Sequence, residues 1–179
     1  VAFLYVILLA SVEVETHLRF LRLLFERLSS ADLKLSPKKT FLLRSSVEYV
    51  GVRIDSSGIK ITDERVRALK DLKSPKTKRQ VLKIIGFFNW NRKWIPHFAK
   101  VAEPLYRLTR KSVKFKWGHE EQGSMDELIH LMSRSPVLAH PDIDDPHDSY
   151  VLEVDASPLG IGSRLTQLIN GERRTVAYY

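Results

Sequence analysis

Hydrophobic and polar positions divide the chain into one apolar run, several amphipathic stretches and a few short strand-like runs. The apolar run is residues 1–10, and its lack of alternation favours a short strand covered on both faces. It is half the length of a bilayer span of about 20 residues, and no basic region precedes it. We therefore predict neither a membrane span nor a signal peptide. The chain begins without Met, as expected of a piece cut from a longer protein.

Apolar residues at helical spacing predict five helices. Their expected ranges are 11–32, 63–72, 77 to about 94, about 98–111 and 120–133. Ser-Pro pairs at 36–37, 74–75 and 135–136 interrupt the pattern. Thr77 and Gln80 fit a capping box, in which the hydroxyl and the amide satisfy the first turn reciprocally.

Shorter runs predict strands at 40–43 and 47–54, the second turning at 55–58 into 59–61 as a hairpin. A Pro- and Asp-rich linker at 139–149 precedes further strands at 150–154 and near 161–165. Together the elements indicate an α/β (α+β) fold.

Composition limits the class of protein. With 44% hydrophobic and 28% charged residues, 179 residues suffice for a buried core, so wholesale disorder is not expected. The absence of cysteine excludes a disulfide scaffold, a thiol nucleophile and Cys-ligated zinc, and is compatible with a reducing, intracellular setting.

The net charge of +8 is unevenly distributed. Residues 60–117 hold 17 basic and 4 acidic residues, a net +13, whereas residues 118–155 hold 1 basic and 10 acidic residues, a net −9. The flanking segments, 1–59 and 156–179, each carry +2. The basic block favours a polyanionic partner, and the alternative is a pair of solvated surfaces that neutralise each other.

Seven strings, in one order along the chain, carry a resemblance to a known family. They are ILLAS followed by HL (7–11 and 17–18), LKLSPKK (33–39), VEYVG (47–51), NRKWIPHF (91–98), FKW (115–117), PVLAHP (136–141) and LEVDAS (152–157). The chain resembles the pol polyprotein of gypsy-like long-terminal-repeat retrotransposons, from the end of the reverse transcriptase palm into ribonuclease H. The resemblance implies a palm remnant with a primer-grip hairpin (1–62), a helical thumb (63–117), a connecting segment (118–148) and a truncated ribonuclease H-like domain (149–179).

The family's polymerase centre is a Tyr, an aliphatic residue and two aspartates that hold Mg²⁺. Here Tyr5-Val6 runs directly into Ile7-Leu8-Leu9, and the first acidic residue is Glu13. Ile and Leu cannot coordinate a hard cation, so polymerisation by this chain is not expected.

The resemblance also implies residues that contact template-primer. Tyr49 and Gly51 fall in the primer grip, where a glycine permits close backbone approach, although Gly51 could instead relieve crowding in a twisted strand. The corresponding thumb residues are Lys76, Lys78, Arg79, Lys83, Trp90, Arg92, Lys93 and Trp94. Core packing is the alternative for the aromatic residues; it is favoured for Phe88 and left open for Trp90 and Trp94.

Asp155 matches the first metal-binding aspartate of ribonuclease H, and Gly160 and Gly162 fit the turn into the next strand. Cleavage needs several carboxylates around Mg²⁺, and Glu153 and Asp148 are poor substitutes for the missing ones. The chain reaches Tyr179 at about the third strand, so nuclease activity is not expected. The six histidines (17, 97, 119, 130, 140 and 147) show no metal-site spacing and are expected to be ordinary side chains.

We therefore predict a retrotransposon-derived reverse transcriptase/ribonuclease H fragment, inactive alone, that binds RNA or DNA template-primer non-specifically. The alternatives are a repurposed nucleic-acid-binding protein and a protein-interaction remnant whose apolar edges contact other pol polyprotein segments. No membrane partner is expected, and the expected location is cytoplasmic or nuclear.

Overall fold

The fold is known from a computed structural model, which describes residues 2–3, 6–144, 149–158 and 160–179. Contacts divide the chain into two units, Val1–Ser45 and Ser46–Tyr179. Helices and antiparallel strands are mixed, in agreement with the predicted α+β class. Within the described ranges, no helix combines the length and apolar content that a bilayer span requires. The four-segment division made from the sequence stays a prediction.

The first unit contains little core. Strands β1 (Ala2–Phe3) and β2 (Val6–Ile7) pair antiparallel, followed by helix α1 (Val14–Ser30) and a 3₁₀ turn at Pro37–Lys39. The opening run therefore contains two short strands rather than the single strand predicted over residues 1–10. Its predicted burial is also wrong, because Val6 is 49% exposed and Ile7 41%. Helix α1 lies where its pattern predicts and buries only Leu21.

A three-stranded antiparallel sheet opens the second unit, with strands β3 (Ser46–Tyr49), β4 (Val52–Asp55) and β5 (Gly58–Ile61) in that order. The predicted hairpin at 55–58 is confirmed, whereas the run 47–54 is two strands divided by a turn at Val50-Gly51. The strand predicted at 40–43 is wrong. The Thr40 hydroxyl donates to Ser36 O at 2.7 Å and Leu43 has φ +51°, so this segment turns locally.

Helices α2 (Asp63–Lys70), α3 (Lys78–Trp90), α4 (Phe98–Thr109) and α5 (His119–Ser133) form the main core with the sheet. Among the residues that the structure describes, fourteen buried hydrophobic side chains make one cluster, which includes Ile61, Phe88, Trp94, Leu105 and Leu128. Phe88 is fully buried, as the core alternative predicts.

Helix α3 ends at Trp90, four residues before the predicted end. The Asn91 side-chain amide donates to Phe87 O at 2.7 Å, and the Asn91 N–H instead donates to Phe88 O at 3.0 Å. The side-chain amide thus occupies Phe87 O, which the backbone N–H of Asn91 would use if the helix continued. A 3₁₀ turn at Arg92–Trp94 follows.

The predicted cap at the start of α3 forms in a modified way. Thr77 Oγ1 accepts from Gln80 N at 3.3 Å, as a capping box requires. The Gln80 amide oxygen accepts from Lys76 N at 2.6 Å, rather than from Thr77 N. Two N–H groups are therefore satisfied, one of them outside the helix.

A second antiparallel sheet contains β6 (Tyr150–Ser157), β7 (Gly160–Ile169) and β8 (Glu172–Tyr178), with β7 in the centre. The two predicted strands are confirmed and extended, and β8 follows a turn with positive φ at Asn170 and Gly171. Leu152 and Val154 on the edge strand β6 are each 60% exposed.

Residues 138–140 join the two sheets. Leu138 exchanges backbone hydrogen bonds of 2.8 and 3.0 Å with Ile59, and Ala139 N donates to Thr175 O at 2.7 Å. One backbone segment thereby pairs with β5 on one side and with β8 on the other, which fixes the second sheet against the first.

Candidate nucleic-acid interface

The exposed face of α3 carries four residues in a line. Arg79, Lys83, Gly86 and Trp90 follow one another at intervals of four, three and four residues, the spacing of a single helix face. All four are exposed, and 62% of Trp90 is accessible to solvent. The opposite face, with Val81, Ile85 and Phe88, is buried.

Gly86 leaves a gap in the middle of this face. A Cβ built on Gly86 has no heavy atom within 4 Å. No packing within the described residues therefore requires glycine here, and its lack of a side chain exposes the helix backbone between Lys83 and Trp90. Gly86 is not among the contact residues predicted from the sequence, although its helical spacing from Lys83 and Trp90 is a signal that points to it.

The two tryptophans have different environments. Trp94 is 2% exposed, and its indole N–H donates to Ile59 O at 3.4 Å. For Trp94 the structure shows core packing, the alternative that the sequence left open, and a side chain packed in the core has no free face for a base or sugar. Trp90 has such a face.

Three of the predicted cations make contacts within the protein. Lys78 Nζ donates to Arg110 O, and the Arg92 guanidinium lies 5.7 Å from the centre of the Tyr179 ring. Lys93 Nζ lies 4.3 Å from the Trp94 ring centre, and burial lowers the pKa of this amine. Lys76, by contrast, is exposed. Three of the predicted residues, Arg79, Lys83 and Trp90, are thus exposed together on one side of α3. With Gly86 between them they form a surface that we call the α3 face.

The turn between β3 and β4 holds the other predicted contacts. Val50 and Gly51 have φ of +50° and +78°, as in two-residue hairpins with positive φ at both central positions. A glycine adopts positive φ at little steric cost, which suits Gly51. Val50, by contrast, is a β-branched residue in a region that such residues rarely adopt. The Tyr49 hydroxyl is buried and has no hydrogen-bond partner among the described residues.

Arg65 lies against this turn. Its Nη1 donates to Val50 O at 3.3 Å and to Gly51 O at 3.4 Å, and its guanidinium lies 5.4 Å from the Phe87 ring centre. A Cβ on Gly51 would overlap Nη1. Sequence reasoning missed Arg65, because no local pattern connects it to a turn 14 residues earlier.

Asp155 lies on a different surface. It is exposed on β6, opposite Gly162 of β7, and lines a cavity of about 380 Å³. The other lining residues are Pro96, His97, Glu153, Val154, Gly162, Ser163, Arg164 and Tyr178. His97, expected to be an ordinary side chain, therefore shares a cavity with Asp155. It has φ +53° and occupies the N-cap position of α4, a placement that no spacing in the sequence predicts.

The acidic groups described near Asp155 do not assemble into a metal site. Glu153 lines the same cavity and pairs with Arg164 at 3.7 Å. Asp148 and Tyr5 lie outside the described residues. Across the ranges that the structure describes, no group of three or more His, Asp or Glu side chains is placed to hold a metal ion.

Known proteins are similar to the chain over most of its length. Residues 117–179 match the family model described as an RNase H-like domain found in reverse transcriptase. The Gag-Pol polyprotein of avian reticuloendotheliosis virus is 34% identical over 84% of this chain and 13% of its own length. That of koala retrovirus is 35% identical over 88% of this chain and 9% of its own length. The chain thus spans about a tenth of these relatives.

Solved structures give the same result. Foamy viral protease-reverse transcriptase in complex with double-stranded DNA matches with a TM-score of 0.77 and 28% identity, over 95% of this chain and 30% of that one. The same type of protein in complex with an RNA/DNA hybrid matches with a TM-score of 0.76 and 28% identity, over 94% and 23%.

These matches confirm the predicted likeness to reverse transcriptase and pol polyprotein, but they support a less specific family than the one predicted. The relatives are retroviral, so they do not support gypsy-like retrotransposons in particular. The chain is similar to the reverse transcriptase and RNase H-like region of retroviral Gag-Pol polyproteins.

Proposed function

We propose that this chain is a reverse transcriptase fragment that binds template-primer duplexes non-specifically, with the α3 face as its contact surface. The observation that carries the proposal is the line of Arg79, Lys83, Gly86 and Trp90, which places two cations, an open backbone and a free aromatic ring on one face. A gypsy-like origin and the palm, thumb and connecting assignments belong to the same proposal.

The α3 face suits a sugar-phosphate backbone. Trp90 lies eleven positions after Arg79, so the face extends about 16 Å at the helical rise of 1.5 Å per residue. Two phosphates would lie against Arg79 and Lys83, and a sugar or exposed base would stack on Trp90. At Gly86 the strand could approach the helix without meeting a side chain. None of these contacts reads base identity, so binding would be insensitive to sequence.

The turn at Val50-Gly51 would contact the same ligand. Neither its Val50 N–H nor its Gly51 N–H has a hydrogen-bond partner among the described residues, and both residues are exposed. Exposed backbone donors suit phosphate oxygens. Solved relatives in complex with double-stranded DNA and with an RNA/DNA hybrid support duplexes of either kind as ligands.

We propose no catalytic step for these residues. Reverse transcriptases and RNase H-like nucleases generally use Mg²⁺, which needs several oxygen ligands around the ion. In the described part of the chain, Asp155 has no such partners, since Glu153 is paired with Arg164. Mg²⁺-dependent primer extension and hybrid cleavage by the purified chain are expected to stay at background.

Binding is tested by measuring the affinity for a primer-template duplex between about 50 and 200 mM salt. We expect Arg79→Gln and Lys83→Gln each to reduce the slope of log K against log salt by about 1, and Trp90→Ala to weaken binding about tenfold or more. Lys114→Gln removes an exposed cation of the same basic block outside α3 and serves as the matched control. Equal effects at positions 83 and 114 would contradict the α3 face, and a flat salt dependence of the unaltered chain would contradict nucleic-acid binding.

A protein-interaction role is the second candidate, supported by a different observation. The apolar stripe of α1 includes Leu18, which is 51% exposed, and Phe25, which is 41% exposed, beside the buried Leu21, so part of this stripe contacts solvent. Such a stripe suits burial against other pol polyprotein segments, at a cytoplasmic or nuclear location. If binding survives Leu18→Ser and Phe25→Ser but a pol segment no longer associates, both roles exist in one chain.

A further inference from the structure

We propose that Arg65 is the positioning residue that holds the Val50-Gly51 turn in its binding conformation and links it to α3. The inference rests on the proposed function and extends it, because Arg65 acts on the turn rather than on the ligand. The planar guanidinium of Arg65 contacts the two backbone carbonyls of the turn and the aromatic ring of Phe87.

The turn needs external support. Val50 at φ +50° stores backbone strain, since its branched Cβ crowds the neighbouring carbonyl in this region. Strained residues of this kind persist where the surrounding contacts overdetermine them. The contacts at Val50 O and Gly51 O come from Arg65 Nη1, and both are charge-assisted.

Arg65 is itself held on its other side. Its guanidinium lies 5.4 Å from the ring centre of Phe87, which belongs to α3 and packs against the core. Phe87 in turn meets Phe88 edge-to-face with ring centroids 5.6 Å apart. The turn is therefore connected through one side chain to the helix that presents Lys83 and Trp90.

The position of Arg65 along α2 supports a specific role. It lies in the first helical turn, after Asp63 and Glu64, where the helix dipole disfavours a positive charge. The contact with the two carbonyls offsets this cost. Gly51 fits the same arrangement, since any Cβ there would displace Nη1.

The first experiment needs no nucleic acid. Amide hydrogen exchange at Tyr49 and Val52, the last pair of the hairpin, is compared in the unaltered chain, Arg65→Lys and Phe87→Leu. Lysine keeps the charge but loses the planar fork, so we expect exchange about tenfold faster in Arg65→Lys and a similar increase in Phe87→Leu. Arg67→Lys, on the same helix, is the matched control. Unchanged exchange in both test variants would overturn the proposal, whether or not the chain binds nucleic acid.

The second experiment separates positioning from direct contact. If Arg65 positions the turn, Arg65→Lys and Arg65→Gln weaken duplex binding equally, about tenfold, and the salt slope stays within about 0.5 of the original. If Arg65 instead contacts a phosphate, Arg65→Lys keeps the affinity of the unaltered chain, and Arg65→Gln lowers the salt slope by about 1. That result would overturn the proposal. Combining Arg65→Lys with Phe87→Leu is expected to add little to either alone, because both break one connection.

The two proposals fail differently. A chain that binds no duplex at low salt contradicts the proposed function, while hydrogen exchange still decides the role of Arg65. Should Arg65→Gln unfold, as judged by its urea transition, Phe87→Leu provides the same readouts with the arginine intact.

Discussion

The two turns of the first sheet solve the same backbone problem in different ways. At Val50-Gly51 the turn is exposed and its carbonyls are held by the side chain of Arg65. At Asp55–Gly58 the turn is held by backbone and by several partners: Leu138 pairs with Ile59, the His140 ring contacts Asp55 O at 2.7 Å, and Arg174 donates to Ser57 O.

This difference separates a contact surface from a structural joint. A turn fixed by one long side chain keeps its own N–H groups and surface free, so it can meet a ligand. A turn fixed by backbone pairing is covered by the segment that joins it to the second sheet, and Gly58 is buried there with φ +138°. We therefore expect changes at the second turn to affect folding, and changes at the first turn to affect binding more than folding.

Gly58→Ala should have the largest effect on stability. The new Cβ would overlap Leu138 O, a backbone atom with no freedom to move aside, and the backbone at Gly58 disfavours any side chain. We expect a loss of about 3 kcal/mol in the free energy of unfolding, from the urea transition. Gly86→Ala is the control: its Cβ meets nothing within 4 Å, and it should stabilise α3 by up to about 1 kcal/mol. A loss of less than 1 kcal/mol in Gly58→Ala would contradict the interpretation of the Asp55–Gly58 turn as a structural joint.

Gly51→Ala should have a smaller effect on folding and a larger one on binding. The overlapping atom is the end of the flexible Arg65 side chain, so the cost is mainly that of φ +78°, about 1–2 kcal/mol. The displaced arginine should weaken duplex binding about as much as Arg65→Lys does. Gly51→Asn tolerates the positive φ and still displaces Arg65, so it should lose binding with less loss of stability. Equal stability losses for alanine at positions 51 and 58 would contradict the distinction between the turns.

Asp55, in the second turn, should make the stability of the protein depend on pH. Hydrogen bonds from the Ser57 hydroxyl and the Ser57 N–H lower the pKa of this carboxyl below its ordinary value of 3.8. A lowered pKa contributes stability above the unfolded-state pKa, and this contribution is lost as the pH falls through the folded-state value. The difference in unfolding free energy between the unaltered chain and Asp55→Asn should therefore be constant above about pH 5 and shrink below about pH 4. A difference that stays constant down to pH 2 would contradict this assignment.

The smallest effect on folding is expected at Trp90. Its ring is 62% exposed, so Trp90→Ala should change the unfolding free energy by no more than about 0.5 kcal/mol while it weakens binding. Trp94→Ala is the contrast, with an expected loss of about 3–5 kcal/mol from the core. Urea transitions of the two variants make this comparison directly.

Much of the local structure follows from the sequence because its causes are local. The spacing of Val81, Ile85 and Phe88 predicts both the existence of α3 and the face that it buries, and Thr77 predicts its start. The uneven charge likewise predicts a basic region, and the α3 face lies within it.

Only the tertiary structure decides what depends on residues distant in the chain. Trp90 and Trp94 look alike in sequence, and their fates differ because Asn91 ends the helix and turns Trp94 toward Ile59. The support of Gly51 by Arg65, and the cavity that His97 shares with Asp155, come from elements that meet only after the chain packs. The sequence by itself thus determined the helices and the charge that favours a polyanion; packing decided which side chains remain free to meet one, because burial is set by every element that covers a residue.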